Sequence, residues 1–384
     1  MIAYNTEWLD ALLTKDAAED WCDEELISEE TEQAIKAHYP SRFYSPNVFA
    51  RIGLAVFSFI LIYAVLGLGF LAAGPQSEEG IFSFGIFWGV VLILALELWI
   101  IRSLRHFGSG IDDMTLYIAT VTLIGSIYVV FPFSFEMLPY CIVAWPFLVA
   151  SSIRYLDRLM TAAAFGCSFL IVLLSVSEIP KLALYLLPFS GMLFSAAAFF
   201  FARRAQRREG LRHWAGQFTV IELLALPGFY ASGNYFIVQQ SGNAWFEIAQ
   251  PPIAWFFWAF TFGVPVLYVF WGLRQKDRIF LDIGIACAAA AVFTFRFYHH
   301  ILPLAWACTI IGAILALVAY FSIRYLQKNA SAYTYAPDAN KLLLQDLEEQ
   351  IIAQTIAVQS PHTPAPNDTF GGGDFGGGGA GGDY

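Results

Sequence analysis

The chain has 384 residues, is 58% hydrophobic and only 14% charged, carries 36 Phe, 18 Tyr and 11 Trp, and has a formal net charge of −10. A soluble domain holds more charge and interrupts its apolar residues with periodic polar ones, while a membrane β-barrel shows short alternating segments; neither pattern is present. Nucleic-acid binding wants a basic face, and the parts of this chain outside its apolar runs are acidic, so no nucleic-acid partner is expected.

What remains is an all-α, polytopic transmembrane helical bundle whose first partner is the lipid bilayer. Apolar runs of about 17 to 25 residues recur along the chain, and each is long enough for a helix to cross roughly 30 Å of hydrocarbon. The charge is unevenly placed. Residues 1–46 hold eleven acidic and three basic side chains, residues 325–384 hold seven and two, and the block between is net positive.

Residues 1–46 read as an acidic cytoplasmic helical segment. Thr6 is placed to cap a helix carrying Trp8, Leu9, Leu12 and Leu13. A second start follows at Ser28-Glu29-Glu30-Thr31, with acids in the first turn where the helix dipole favours them. Lys36 lies near its end and Pro40 stops it. Two short amphipathic helices suit docking onto the membrane block. No cleavable leader is expected ahead of them, because the segment is acidic rather than cationic then apolar.

The transmembrane domain, 47–324, holds ten candidate spans: 48–73, 81–101, 114–131, 137–153, 159–177, 182–202, 218–238, 254–273, 279–295 and 301–323. Their orientation follows from arginine, which is retained on the cytoplasmic side during insertion. The cluster Arg203, Arg204, Arg207, Arg208 and Arg212 determines the topology. Counting outward from it, the cytoplasmic connections also carry Arg102, Arg105, Arg154, Arg158, Arg274, Lys276 and Arg278. The opposite connections carry only Lys181 and Arg296 among cations, with Glu78, Glu79, Glu136, Glu178 and Glu247. Both termini are then cytoplasmic. The span 218–238 contains Pro227, Gly228, Ser232, Gly233 and Asn234 and is a candidate for a broken or re-entrant helix.

Beyond the spans, 325–357 reads as a cytoplasmic segment with an amphipathic helix that places Leu343, Leu344, Leu347 and Ile351 on one face. A Pro- and Gly-rich tail fills 358–384. Nine of the fifteen residues from Phe370 to Tyr384 are glycine, a composition that buries no core and predicts disorder. It serves either as a tether or as a recognition tag built on Phe370, Asp374, Phe375, Asp383 and Tyr384.

Three carboxylates inside spans need an explanation, since charge in the bilayer is costly. Glu97, Glu222 and Asp282 each lie about four residues from the cytoplasmic end of a span, roughly 6 Å inside it. They form either one acidic pocket that binds a cation or relays protons, or three separate carboxylates near the interface paired with arginines such as Arg102 and Arg278. A second, outer polar cluster is Arg296, His299 and His300. Adjacent histidines on a helix point about 100° apart, so they make a poor zinc pair, and no metal is assigned. The cysteines are scattered singly without metal or redox spacing. No cofactor is implied, and no catalytic residue is assigned.

Trp21, Leu26-Ile27-Ser28-Glu29-Glu30, Gln33-Ala34-Ile35, Tyr39-Pro40 and Pro46-Asn47 follow one another ahead of the first span, and Phe370-Gly371-Gly372-Gly373-Asp374-Phe375 lies in the tail. This order resembles an uncharacterised bacterial family of polytopic membrane proteins, a domain of unknown function, with a cytoplasmic helical N-terminus and a glycine-rich C-terminus. The resemblance implies a bacterial cytoplasmic (inner) membrane and carries no activity with it. Two functions are consistent with the residues. One is an interaction or scaffold component that recruits protein partners through the acidic N-terminus and the C-terminal tail. The other is a secondary transporter or flippase with Glu97, Glu222 and Asp282 around a cytoplasm-facing cavity. A membrane enzyme using His299 and His300 ranks behind both.

Overall fold

The computed structural model describes residues 2–23, 26–130, 137–179, 183–246 and 250–299, together with Tyr320 and Arg324. The expected tenth span lies almost wholly outside these residues, as do His300, Glu247, Cys308 and the segments 325–357 and 358–384.

The described chain is mostly helical: α1 (Thr6–Asp23), α2 (Glu29–His38), α3 (Val48–Ala73), α4 (Glu78–Leu94), α5 (Ile111–Val130), α6 (Met137–Tyr155), α7 (Arg158–Ser177), α8 (Ala183–Gln206), α9 (Ala215–Gly233), α10 (Tyr235–Phe246), α11 (Ala254–Gln275) and α12 (Arg278–His299). A π turn, Ala95–Ile101, continues α4, and a 3₁₀ segment, Glu209–Trp214, leads into α9. Among the described residues seven helices are long and apolar enough to cross a membrane: α3, α4 with its π turn, α6, α7, α8, α11 and α12. The chain is a multi-pass membrane protein. Its outer surface has the inverse of a soluble protein's polarity, with Leu68, Leu71, Leu193, Phe200 and Val266 each at least two-thirds exposed.

Two expected spans differ from that set. The segment 114–131 is a helix beginning at Ile111, with Asp112 and Asp113 in its first turn. The segment 218–238 is divided between α9 and α10. Asn234 leaves the helical conformation between them, with φ −69° and ψ 127°. The break is closed by side chains. Asn234 Oδ1 accepts from the Phe236 and Ile237 amides, its amide donates to Tyr230 Oη at 2.9 Å and Thr294 Oγ1 at 3.1 Å, and Thr261 Oγ1 accepts from the Tyr235 amide at 2.9 Å. Backbone groups freed in a membrane have to find such partners, which is why the interruption falls where Asn, Thr and Tyr converge.

Helix starts follow local chemistry. Ser28 caps α2, Asn47 caps α3 and Ser77 caps α4, each accepting an amide hydrogen bond. At α1 the cap is Asn5 rather than Thr6. Asn5 Oδ1 accepts from Glu7 and Trp8 amides at 2.9 and 3.2 Å, and Thr6 is the first helical residue. Small residues set the helix spacing. A Cβ on Gly85 of α4 would lie 1.8 Å from Ser126 Oγ of α5, and one on Gly191 of α8 would lie 2.4 Å from Ser232 Oγ of α9. Neither approach leaves room for alanine.

Candidate functional site

Alternate helix ends gather at one face of the bundle, which carries Arg51, Arg154, Arg203 and Arg212. Arg51 on α3 pairs with Asp113 on α5 at 2.7 Å. Tyr117 on α5 donates to Asp157, which caps α7 by accepting from the Met160 amide at 2.6 Å. Burial pushes the Asp157 carboxyl up from its ordinary value, against those two hydrogen bonds. Trp214 Nε1 donates to the Ile153 carbonyl at 3.0 Å, joining the start of α9 to the end of α6.

The N-terminal segment closes this face. α1 makes the contact: Leu9, with Tyr4, joins a cluster of Leu96, Ile100 and Ile101 from the π turn, Leu116 from α5, Tyr155 from α6 and Met160 from α7. α2 has no buried residue and rides on α1, held by Lys36 between Glu19 and Glu32. Only the first of the two expected docking helices therefore docks. The Ala3 amide donates to the Arg154 carbonyl at 2.9 Å, and Asp10 is gripped by Arg212 at 2.6 Å and His213 Nε2 at 2.7 Å. The returning strand-like segment pairs Tyr44 with Arg105 and Phe107 through backbone hydrogen bonds of 2.9 and 3.3 Å.

The loop before α5 winds around Asp112, which is 2% exposed. Its carboxylate accepts from the Gly108 and Ser109 amides at 2.8 Å each and from Ser109 Oγ at 2.9 Å. Beside it, His106 Nδ1 lies 2.7 Å from Ser109 Oγ. Burial lowers the His106 pKa from its ordinary value, with Asp112 opposing the shift, so burial disfavours the charged ring.

Each of the three carboxylates expected inside spans sits beside an arginine, Glu222 on a helix outside the seven membrane-crossing candidates. Glu97, carried on the π turn, meets Arg154 Nε at 2.5 Å and Nη2 at 2.7 Å, and accepts from Tyr155 Oη at 2.8 Å. Glu222 on α9 is 2% exposed, with Arg203 Nε 3.1 Å from Oε2 and no hydrogen-bond partner for Oε1 among the described residues. Asp282, 45% exposed at its side chain, lies 3.6 Å from Arg278 one turn away. No described hydrogen bond or ion pair joins any two of the three.

The arginine cluster divides in the same way. Arg203 lies between the Phe199 and Phe280 rings, 5.2 and 5.5 Å from their centroids, and also pairs with Asp277 in the α11–α12 turn. Arg212 holds Asp10. Arg204, Arg207 and Arg208 are exposed and, with Phe200 and Arg203, line a surface recess of about 470 Å³. At the far end His299 packs against the Phe295 and Trp258 rings at 4.6 and 5.6 Å, and Arg296 is one turn earlier on α12.

Among the described residues no group of three His, Cys, Asp or Glu side chains is placed to hold a metal. An apolar cavity of about 100 Å³ lies beside the helix break, lined by Phe169, Leu187, Val238 and Phe246, with Ser232 and Ser241 its polar points. The residues that sequence reasoning passed over are Asp10, Asp112, Asp157 and Asp277, all of which fasten one element to another. A signal existed for Asp112 in the Gly108-Ser109-Gly110 turn two residues before it, and for Asp157 in its place between two helices, where a cap is needed. No family model, no curated protein and no solved structure matches the chain.

Proposed function

We propose that the chain is an interaction or scaffold component of a bacterial inner-membrane complex, with its arginine-rich end, and both termini, in the cytoplasm and ten spans in all. The observation that carries this reading is the N-terminal pair of helices. α1 is fastened to the bundle by Asp10, yet Leu13 and Trp21 on α1 and Leu26 in the turn before α2 are exposed at 42%, 45% and 67% among acidic side chains. Outside the membrane zone, exposed apolar groups rimmed by charge fit a protein partner. The acidity of α1 and α2 selects a basic one. The C-terminal tail supplies a second tether.

The test is affinity capture of the full chain from its own membranes after crosslinking. The paired substitution Trp21→Ala and Leu26→Ala removes the captured partner while leaving the chain inserted, and deletion of 325–384 weakens capture further. Recovery of the same partner by both variants at wild-type yield counts against the reading.

A secondary transporter or flippase is the second reading, favoured by the interrupted helix at Asn234 and by the π turn that carries Glu97, since π turns and broken helices recur at functional sites. It requires the pairs at Glu97, Glu222 and Asp282 to open into one cytoplasm-facing cavity. Neutralising the three acids together then changes uptake or export of a solute at unchanged expression; transport-neutral behaviour removes this alternative.

A further inference from the structure

α8 carries an unbroken stripe from the hydrocarbon to the arginine-rich end. Phe189, Leu193, Phe200 and Arg204 are all exposed, and at about 100° per residue they fall within a narrow arc of the helix, with Arg207 beyond the last turn continuing it. Leu193 and Arg204 are eleven residues apart, about 16 Å along the axis and close to the thickness of one hydrocarbon leaflet. The apolar half of the stripe therefore spans one leaflet, and the arginine half stands at its headgroups.

The cations there are not equivalent. Arg203 is taken by Glu222 and Asp277, and Arg212 by Asp10. Among the described residues Arg204, Arg207 and Arg208 meet no carboxylate, although the chain as a whole is acidic. If their only role were to hold the helix orientation, they could spread into water separately. Instead they line one recess of about 470 Å³ with Phe200 at its lower rim. Guanidinium groups converging on a concave surface match phosphate oxygens through paired N–H donors, and the ring below matches the start of an acyl chain.

We propose that Arg204, Arg207 and Arg208, with Phe200, form a binding site for the phosphate headgroup of an anionic phospholipid in the leaflet at the arginine-rich end. The lipid is favoured over a free phosphate because the recess opens onto the exposed apolar stripe rather than onto a closed polar chamber. Arg203 orients the site without supplying its charge, being neutralised by its two carboxylates.

The experiment uses the full chain, purified in mild detergent, with short-chain phosphatidylglycerol and phosphatidylcholine as probes and retention read by native mass spectrometry. Each basic residue near a membrane surface favours an anionic lipid by roughly fivefold, so three give a preference for phosphatidylglycerol on the order of a hundredfold. The combined variant Arg204→Gln, Arg207→Gln and Arg208→Gln is expected to lose nearly all of that preference. Equal retention of the two lipids by the wild type overturns the proposal, as does a preference that survives in the variant. Inorganic phosphate is the competing probe: displacement of phosphatidylglycerol at the same concentration as added lipid overturns the lipid assignment in favour of a free anion. Should the variant fail to insert, photoactivatable phosphatidylglycerol on the wild type decides the matter, with labels expected between Phe200 and Arg208 and labels confined elsewhere refuting the site.

Discussion

Two arginine–carboxylate pairs at the same end of the bundle are built differently. At Glu97, 18% exposed, both Arg154 donors and the Tyr155 hydroxyl reach the carboxylate, so every group is satisfied and water still has access. At Glu222, 2% exposed, one Arg203 is divided between Glu222 and Asp277, and among the described residues one carboxylate oxygen has no hydrogen-bond partner. The first resembles a surface clamp sunk slightly into the protein. The second is a buried charge cluster in which attraction has to offset a large desolvation cost. The difference teaches that equal depth along the sequence of a span says little about burial. Position around the helix decides it: Glu222 faces α8 and α11–α12, while the π turn leaves Glu97 near the edge of the bundle.

The comparison predicts unequal costs. Arg203→Met strands Glu222 in the interior and is expected to lower unfolding stability in detergent by about 3–5 kcal/mol, the range for breaking a buried pair. Adding Glu222→Leu should recover part of that loss, because an apolar replacement of both partners removes the desolvation cost as well. Glu97→Gln keeps the shape and leaves Arg154 access to water, so its expected cost is about 1.5–3 kcal/mol, that of hydrogen bonds to a charged group. Denaturant titrations of the three variants measure this order directly. If Glu97→Gln costs more than Arg203→Met, the distinction between the two pairs is wrong.

These pairs mark the boundary of what the sequence discloses. The ends expected for 81–101, 137–153, 182–202 and 254–273 fall within about one turn of helix ends in the structure, because a helix end responds to local composition. Ser28 is legible as a cap because capping is a local contact, and Pro227 to Asn234 signals a weak helix for the same reason. Partners are not local. Glu97 and Arg154 are 57 positions apart, Arg203 and Asp277 are 74, and Asp10 and Arg212 are 202. A single sequence treats the five arginines as one group, whereas the fold assigns two of them to carboxylates and leaves three exposed.

Asp10 extends the comparison to a more exposed position, with 36% of its side chain accessible and 59% of that of Arg212. Solvent screens such a contact, so Asp10→Asn is expected to cost about 0.2–1 kcal/mol of global stability. Its larger effect is local. α1 loses its tether to the start of α9, and limited proteolysis should cut between α1 and α2 faster while the bundle stays intact. Unchanged cleavage would show that the apolar contacts of Leu9 and Tyr4 suffice to hold the cap.

The smallest expected effect belongs to the loop under the same cap, where burial disfavours the charged form of His106. Its folded pKa lies below 6.5 and its unfolded pKa near that value, so between the two the opened segment binds more protons than the closed one. Closure is therefore fully favoured above pH 6.5 and weakens as pH falls through the folded pKa. The reporter is hydrogen exchange at the Tyr44 and Phe107 amides, whose bonds to the Arg105 and Tyr44 carbonyls exist only when the segment is closed. Protection should decline below pH 6.5 in the wild type after correction for intrinsic exchange, and His106→Asn should flatten that decline while leaving the Asp112 contacts with Gly108 and Ser109 in place. A slope identical in both proteins would transfer the pH sensitivity to another group and leave His106 a packing residue.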